Sequence, residues 1–196
     1  MGRPVKEKTL TPKDIVEAAI ACLEAEGESA LGVNRVARSL GIQPPSIYKH
    51  LNGNAALRRA VALEIWQRFI ALCKQRTEGM ENPRALIYAI GHAIREFARV
   101  HPILHTVMTQ TKFESTDPDF DRIVQEMLAF YTMALKSYGF DQDDLIDVIR
   151  MLHAAFYGFI QAEKADIFTL PRSLDTSYER MLNTLINTLE IQLAQL

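Results

Sequence analysis

Two prolines and a glycine constrain how residues 33–51 can fold. The stretch reads Val-Asn-Arg-Val-Ala-Arg-Ser-Leu-Gly-Ile-Gln-Pro-Pro-Ser-Ile-Tyr-Lys-His-Leu. Val33, Val36, Ala37 and Leu40 recur at helical spacing and mark one buried face. Gly41 sits where that helix must stop, at a position that favours a left-handed backbone. Pro44 and Pro45 suit the first turn of a second helix, where a missing N–H costs nothing. Ile42 plugs the turn into the core, and Ile47 and Leu51 share the buried face of the second helix. Gln43, Ser46, Tyr48, Lys49 and His50 are left outward.

The rest of the chain carries the same punctuation. Thr11 caps a helix that has Pro12 at its first position and Asp14 near its positive end. Ile15, Ala18, Ala19, Cys22 and Leu23 form its apolar stripe, and Gly27 ends it. This helix props up the two short ones as a three-helix bundle. Asn54 is read as the cap of a fourth helix carrying Leu57, Val61, Ile65, Phe69 and Leu72, placed as a lever that leads away from the bundle. Further helices start at Asn82-Pro83, after the break at His101-Pro102, at Asp117-Pro118, at the acidic run Asp141, Asp143, Asp144, and at about Ser173. No strand pattern stands out, so the fold is all-α with about nine helices. The domain division is read as residues 1–53, a bundle preceded by a short basic arm, and residues 54–196, a helical domain.

The bulk composition narrows the class. At 196 residues with 48% hydrophobic and 23% charged side chains, the chain can bury a full core. No uninterrupted apolar run approaches the roughly 20 residues that span a bilayer. The first residues lack the apolar stretch of a signal peptide, so a cytoplasmic protein without a membrane partner is expected. Cys22 and Cys73 lie on apolar stripes and read as free buried thiols.

Charge points to a partner. From Ser29 to Leu63 there are five basic residues, Arg35, Arg38, Lys49, Arg58 and Arg59, and no Asp or Glu. Through Arg59 the chain holds nine Lys/Arg and six Asp/Glu against a net charge of −2 overall, so the remainder carries −5. A polyanion partner for the N-terminal quarter accounts for that asymmetry. Helix, glycine turn and polar outward helix together read as a helix-turn-helix that enters the major groove of double-stranded DNA. Gln43, Ser46 and His50 are candidates for base edges, and Pro44 and Pro45 for contact with a thymine methyl. Arg35 and Arg38 suit either DNA or solvent.

The last two long helices are apolar over more of their circumference than one packing face requires. Excess apolar surface marks a partner interface, and Ala154, Ala155 and Gly158 permit close approach. A two-fold homodimer through these helices also presents two readers to a palindromic operator.

From Thr11 to about Val61 the pattern resembles the TetR-like transcription repressors of bacteria. The resemblance rests on Gly27, Leu31, Val33, Val36-Ala37-Arg38, Leu40-Gly41-Ile42 and Ser46-Ile47-Tyr48-Lys49-His50-Leu51. The run Leu152-His153-Ala154-Ala155-Phe156-Tyr157-Gly158-Phe159 looks like the penultimate helix of one subgroup. The resemblance implies a DNA-binding N-terminal domain, a ligand-binding and dimerising C-terminal domain, and phosphate contacts from Tyr48 and Lys49, helped by Arg58 or Arg3. Two positions depart from it. Gly32 stands where Ser or Thr often caps the second helix, and Asn54 where a Lys commonly contacts the DNA backbone.

Aromatic and Met positions along the middle helices are candidates for an apolar effector pocket: Phe97, His105, Met108, Phe113, Met127, Phe130, Tyr131, His153, Phe156 and Tyr157. They favour a hydrophobic, uncharged small molecule that selects one helix arrangement and so shifts the readers. His101 and His105 are four apart, but no third or fourth metal ligand is near, and neither metal nor cofactor is expected. The rival reading is a small all-α enzyme with an aromatic, His-lined cavity. It lacks a nucleophile elbow, a P-loop, a dinucleotide fingerprint and a zinc motif, and it leaves the acid-free Ser29–Leu63 surface unexplained.

Overall fold

The computed structural model describes residues 9–193. Nine α-helices and no strands occur among the described residues: α1 Pro12–Glu26, α2 Val33–Ser39, α3 Pro44–Tyr48, α4 Gly53–Thr77, α5 Pro83–Val100, α6 Pro102–Gln110, α7 Pro118–Leu135, α8 Gln142–Lys164 and α9 Leu174–Leu193. Three helix starts are capped by local side chains. Thr11 and Asp14 form a reciprocal capping box, with Asp14 N–H donating to Thr11 Oγ1 at 3.2 Å and Thr11 N–H to Asp14 Oδ2 at 3.0 Å. Asn82 Oδ1 accepts from Ala85 N–H at 3.0 Å, and Asp141 Oδ1 from Asp144 N–H at 2.9 Å. Gly41, with φ +68°, makes the left-handed step between α2 and α3.

Two compact units divide the described residues: those up to 67 with 101–117, and 68–100 with those from 118 onward. The division falls inside α4, and α6 belongs to the first unit. In that unit α1, α2 and α3 pack around Ile15, Ala19, Leu23, Val33, Val36, Ala37 and Ile47, all nearly or wholly buried. At the start of α6, His101 Nδ1 lies 2.9 Å from Glu24 Oε1 on α1. Arg59 on α4 grips Asp117 through two bonds of 2.6 Å, donated by Nε and Nη2.

In the second unit α5, α8 and α9 close on one another around Gly91. A Cβ there would stand 2.6 Å from a Leu182 methyl, and the Tyr178 hydroxyl donates to the Gly91 carbonyl at 2.6 Å. Arg95 is buried with its guanidinium 4.5 Å from the Tyr178 ring centre and 5.3 Å from that of Phe159. It donates to both oxygens of Glu163 at 2.9 Å and reaches Asp175 at 3.0 Å. The Arg95 hydrogen bond holds the Glu163 carboxyl below the usual carboxylate range.

The last two helices differ in how much apolar surface they leave outward. α9 turns its apolar residues inward, with Tyr178, Leu182, Ile186 and Leu189 fully buried, and shows solvent Thr176, Arg180, Thr184, Asn187 and Thr188. α8 buries Val148, Leu152, Phe156 and Ile160 and still exposes Met151, Ala154, Tyr157 and Gly158. α9 adds exposed Ile191 near its end and leaves Leu174, Met181 and Leu185 half-buried, so the larger surplus of apolar surface is on α8. By length and composition α8 is also apolar enough to cross a membrane, and 22% of its most apolar stretch is buried.

Candidate DNA-reading site

The reading site is built on a buried seam. Ile47 is the only residue of α3 that is fully buried, and it pins the five-residue helix against Val33, Val36 and Ala37 of α2 in one core. The turn between them is closed by backbone bonds from Gly41 N–H to Arg38 O at 3.2 Å and from Ile42 N–H to Ala37 O at 3.0 Å. Gln43 occupies the N-cap of α3 in extended conformation, and Ser46 N–H donates back to its carbonyl at 2.9 Å.

The expected outward set divides. Gln43, Tyr48, Lys49 and His50 are exposed, Tyr48 by 53%. Pro44 and Ser46 are half-buried. The helix ends at Tyr48, so Lys49 and His50 stand in the turn that follows, not on the helix. Their backbone is fixed all the same, since His50 and Leu51 N–H both donate to Ile47 O, at 2.8 and 2.9 Å. Four side chains thus project from one rigid end of the bundle.

The arginines stand differently. Arg35 donates to Glu26, with Nε to Oε2 at 2.8 Å and a second bond from Nη2 to Oε1. Arg58 pairs with Glu28 at 2.7 Å, and Arg59 with Asp117. The Arg35 bond lowers the Glu26 carboxyl from its ordinary value. The stretch from Ser29 to Leu63 is free of acids, but Glu26 and Glu28, just outside it, and distant Asp117 reach its cations. No helical spacing links these partners, so a residue count could not reveal them. Arg38 is exposed at the end of α2. Arg3 and the basic arm lie outside the described residues.

A correction concerns Asn54. It lies within the first turn of α4, which begins at Gly53, and its Oδ1 accepts from Val33 N–H at 2.9 Å. It caps α2, not α4. The two departures noted from the resemblance, Gly32 and Asn54, thus meet at one helix terminus.

The expected effector residues are also divided. Phe97, Phe130, Tyr131 and Phe156 lie in the interior of the second unit, where Phe97 packs on Phe69 with ring centres 5.3 Å apart and Phe130 on Tyr131 at 6.1 Å. Burial raises the Tyr131 phenol above its ordinary value. Met127 is half-buried on the same helix. His153 and Tyr157 stand on the outer face of α8, their rings 6.2 Å apart, because the inward positions of that helix fall to Leu152 and Phe156. His105 and Met108 are buried in the first unit and Phe113 is half-buried there. A groove of about 690 Å³ in the second unit, lined by residues including Thr77, Met80, Ala129, Phe130 and Met133, was not read from the sequence. Its apolar residues come from the end of α4, the turn after it and one side of α7, a combination that only tertiary packing makes. Both cysteines are free and buried, and burial pushes the Cys73 thiol up to about 12. Among the described residues no three His, Cys, Asp or Glu side chains gather as a metal site.

Comparison with known proteins places this geometry. Residues 15–61 match the family described as bacterial regulatory proteins, tetR family, and residues 87–185 match the tetracyclin repressor-like C-terminal domain. The HTH-type transcriptional regulator Rv0681 of Mycobacterium tuberculosis is 28% identical over 167 residues, covering 85% of this chain and 75% of the relative. Among solved structures, apo ActR from Streptomyces coelicolor superposes with a TM-score of 0.70 at 17% identity, over 96% of this chain and 99% of that one. A TetR variant from Acinetobacter baumannii AYE in complex with minocycline superposes with a TM-score of 0.67 at 19% identity, over 92% and 97% of the two chains. These two likenesses support the all-helical fold.

Proposed function

This chain belongs to the tetR family of bacterial regulatory proteins, and from that premise we propose that it is a homodimeric repressor, released from a palindromic operator by a small hydrophobic molecule. The observation that carries the reading is the row Gln43, Tyr48, Lys49 and His50, exposed on a turn and short helix whose buried side is a single isoleucine. In this reading Tyr48 and Lys49 grip phosphates, with Arg3, and Gln43, Ser46 and His50 meet base edges. Pro44 lies against a thymine methyl. Arg35 and Arg58 reach DNA only by leaving Glu26 and Glu28, so their share is smaller. Residues 1–53 act as the DNA-binding domain, and residues 54–196 carry effector binding and dimerisation.

The dimer rests on α8, whose exposed Met151, Ala154, Tyr157 and Gly158 offer an apolar, close-approach face. The polar outer face of α9 supports a lesser part. A helix of this kind, half packed in its own unit and half self-paired, accounts for its apolar length without a membrane. The effector site is assigned to the aromatic interior of the second unit, Phe97, Met127, Phe130, Tyr131 and Phe156, because those residues combine large apolar surface with one buried phenol. The minocycline-bound relative is consistent with a ligand site in this fold. The protein acts in the cytoplasm, where its DNA is, and performs no catalysis.

Selection from random duplexes with the purified protein tests the reading. Recovery of an inverted repeat, bound by two chains, supports it. Weak, sequence-blind binding overturns it and returns the enzyme reading.

A further inference from the structure

The first N–H groups of any α-helix have no partner within the helix. At the start of α2 the residue that ordinarily supplies a side-chain acceptor is Gly32, extended at φ −151° and ψ 144°, with nothing to offer. The acceptor comes from 21 residues away: Asn54 Oδ1 takes the Val33 N–H at 2.9 Å. Asn54 is itself held in a fixed junction. Leu51 N–H donates to Ile47 O at 2.9 Å, Gly53 N–H to Leu51 O at 3.0 Å, and Gly53 at φ +87° makes the turn into α4. The end of α3, the start of α4 and the start of α2 are therefore tied through one amide side chain.

We propose that Asn54 is a positioning residue of the DNA reader, a cap supplied in trans by α4 that fixes the start of α2 and with it the aim of α3. The proposal rests on the DNA-binding reading above. It also spends the Val33 N–H inside the protein, so that donor is not offered to a phosphate. Nothing in the backbone demands glycine at 32, because its extended φ suits any residue and a Cβ there would meet only Asn54 Oδ1 at 3.9 Å. A serine at 32 can therefore cap the same helix end locally, accepting from Asn34 or Arg35 N–H in place of the Val33 bond.

Two measurements test it. Amide hydrogen exchange on the full chain reads the bond itself: Val33 N–H is protected in the unaltered protein, and Asn54→Ala speeds its exchange tenfold or more, on the order expected for a freed helix-end amide. Affinity for the duplex recovered by the unaltered protein reads the function. Asn54→Ala weakens it about fivefold, the size of a lost cap. Adding Gly32→Ser to Asn54→Ala restores both thermal stability and affinity, whereas Gly32→Ser alone changes little, a non-additive cycle. Equal Val33 exchange in the unaltered and Asn54→Ala proteins overturns the proposal. So does a rescue of stability without a rescue of affinity, which makes Asn54 a direct DNA contact. If the unaltered chain selects no duplex, the DNA-binding reading fails and the functional half of the proposal with it, while the exchange result still decides the cap.

Discussion

The α2–α3 pair and the α8–α9 pair solve opposite problems. In the first, helices of seven and five residues bury a small seam and turn polar side chains outward. In the second, helices of 23 and 20 residues bury a wide face, and one of them still has apolar surface to spare. The reader can therefore lose an outward side chain with little cost to folding, since its stability resides in Ile47 and the α2 residues. On α8 the outward residues are themselves apolar, so altering them changes association more than the fold of one chain. The two pairs separate stability from function in different ways.

The largest expected effect tests the shared part, the buried seams. Ile47→Ala and Leu152→Ala remove fully or nearly fully buried side chains and should each cost about 2–5 kcal/mol by denaturant unfolding. Ile47→Ala should also abolish DNA binding, and Leu152→Ala should not alter the contacts of the reader. A seam substitution that leaves stability unchanged breaks the comparison.

Next is the Arg95–Glu163 pair, which ties α5 to α8. Glu163→Gln removes a carboxylate from a buried guanidinium that keeps Asp175, and should cost about 2 kcal/mol at pH 7. The folded carboxyl sits below its unfolded value, so its stabilisation is present above the ordinary carboxylate range and is lost as pH falls through the lowered folded value. The gap between Glu163→Gln and the unaltered protein should therefore close on acidification, as read from thermal unfolding at a series of pH values. A gap constant with pH contradicts the assignment.

The contrast between α8 and α9 is sharpened by one charge on each outer face. Tyr157→Glu should weaken the dimer at least tenfold by sedimentation equilibrium, about 1.4 kcal/mol or more. Thr184→Glu, on the polar face of α9, should change it far less. Equal effects return α9 to an equal share of the interface. The smallest stability effect belongs to the reader: Tyr48→Ala should fall within about 0.5 kcal/mol of the unaltered protein, with duplex affinity reduced about tenfold, the size of one good contact.

Most of the fold was legible because its punctuation is local. Thr11-Pro12, Gly41, Asn82-Pro83, His101-Pro102, Asp117-Pro118 and Asp141 each fix a boundary through neighbours within four residues, and each boundary lies within a residue or two of its expected place. Inward faces were legible for the same reason, since Val33, Val36 and Ala37 share a side by helical period alone. What failed depends on partners far along the chain. Asn54 was read as a cap of its own helix because capping is ordinarily local, and the acceptor it supplies serves a helix 21 residues earlier. The cations of the reader looked unopposed because Glu26, Glu28 and Asp117 reach them from outside the stretch. On α9 the helical period puts Tyr178, Leu182, Ile186 and Leu189 fully inward, leaves Leu174, Met181 and Leu185 half-buried and Ile191 outside, so a count of apolar residues alone does not give its outward surface. His153 and Tyr157 missed the interior by one helical position each.

The central claim is that the exposed row beyond Ile47 reads DNA. Its most direct test is affinity for the selected duplex measured across salt concentrations, for the unaltered protein and for Lys49→Ala. The account predicts a steep loss of affinity with salt and a slope shallower by about one unit in Lys49→Ala, with thermal stability unchanged. Identical slopes for the two proteins would contradict it.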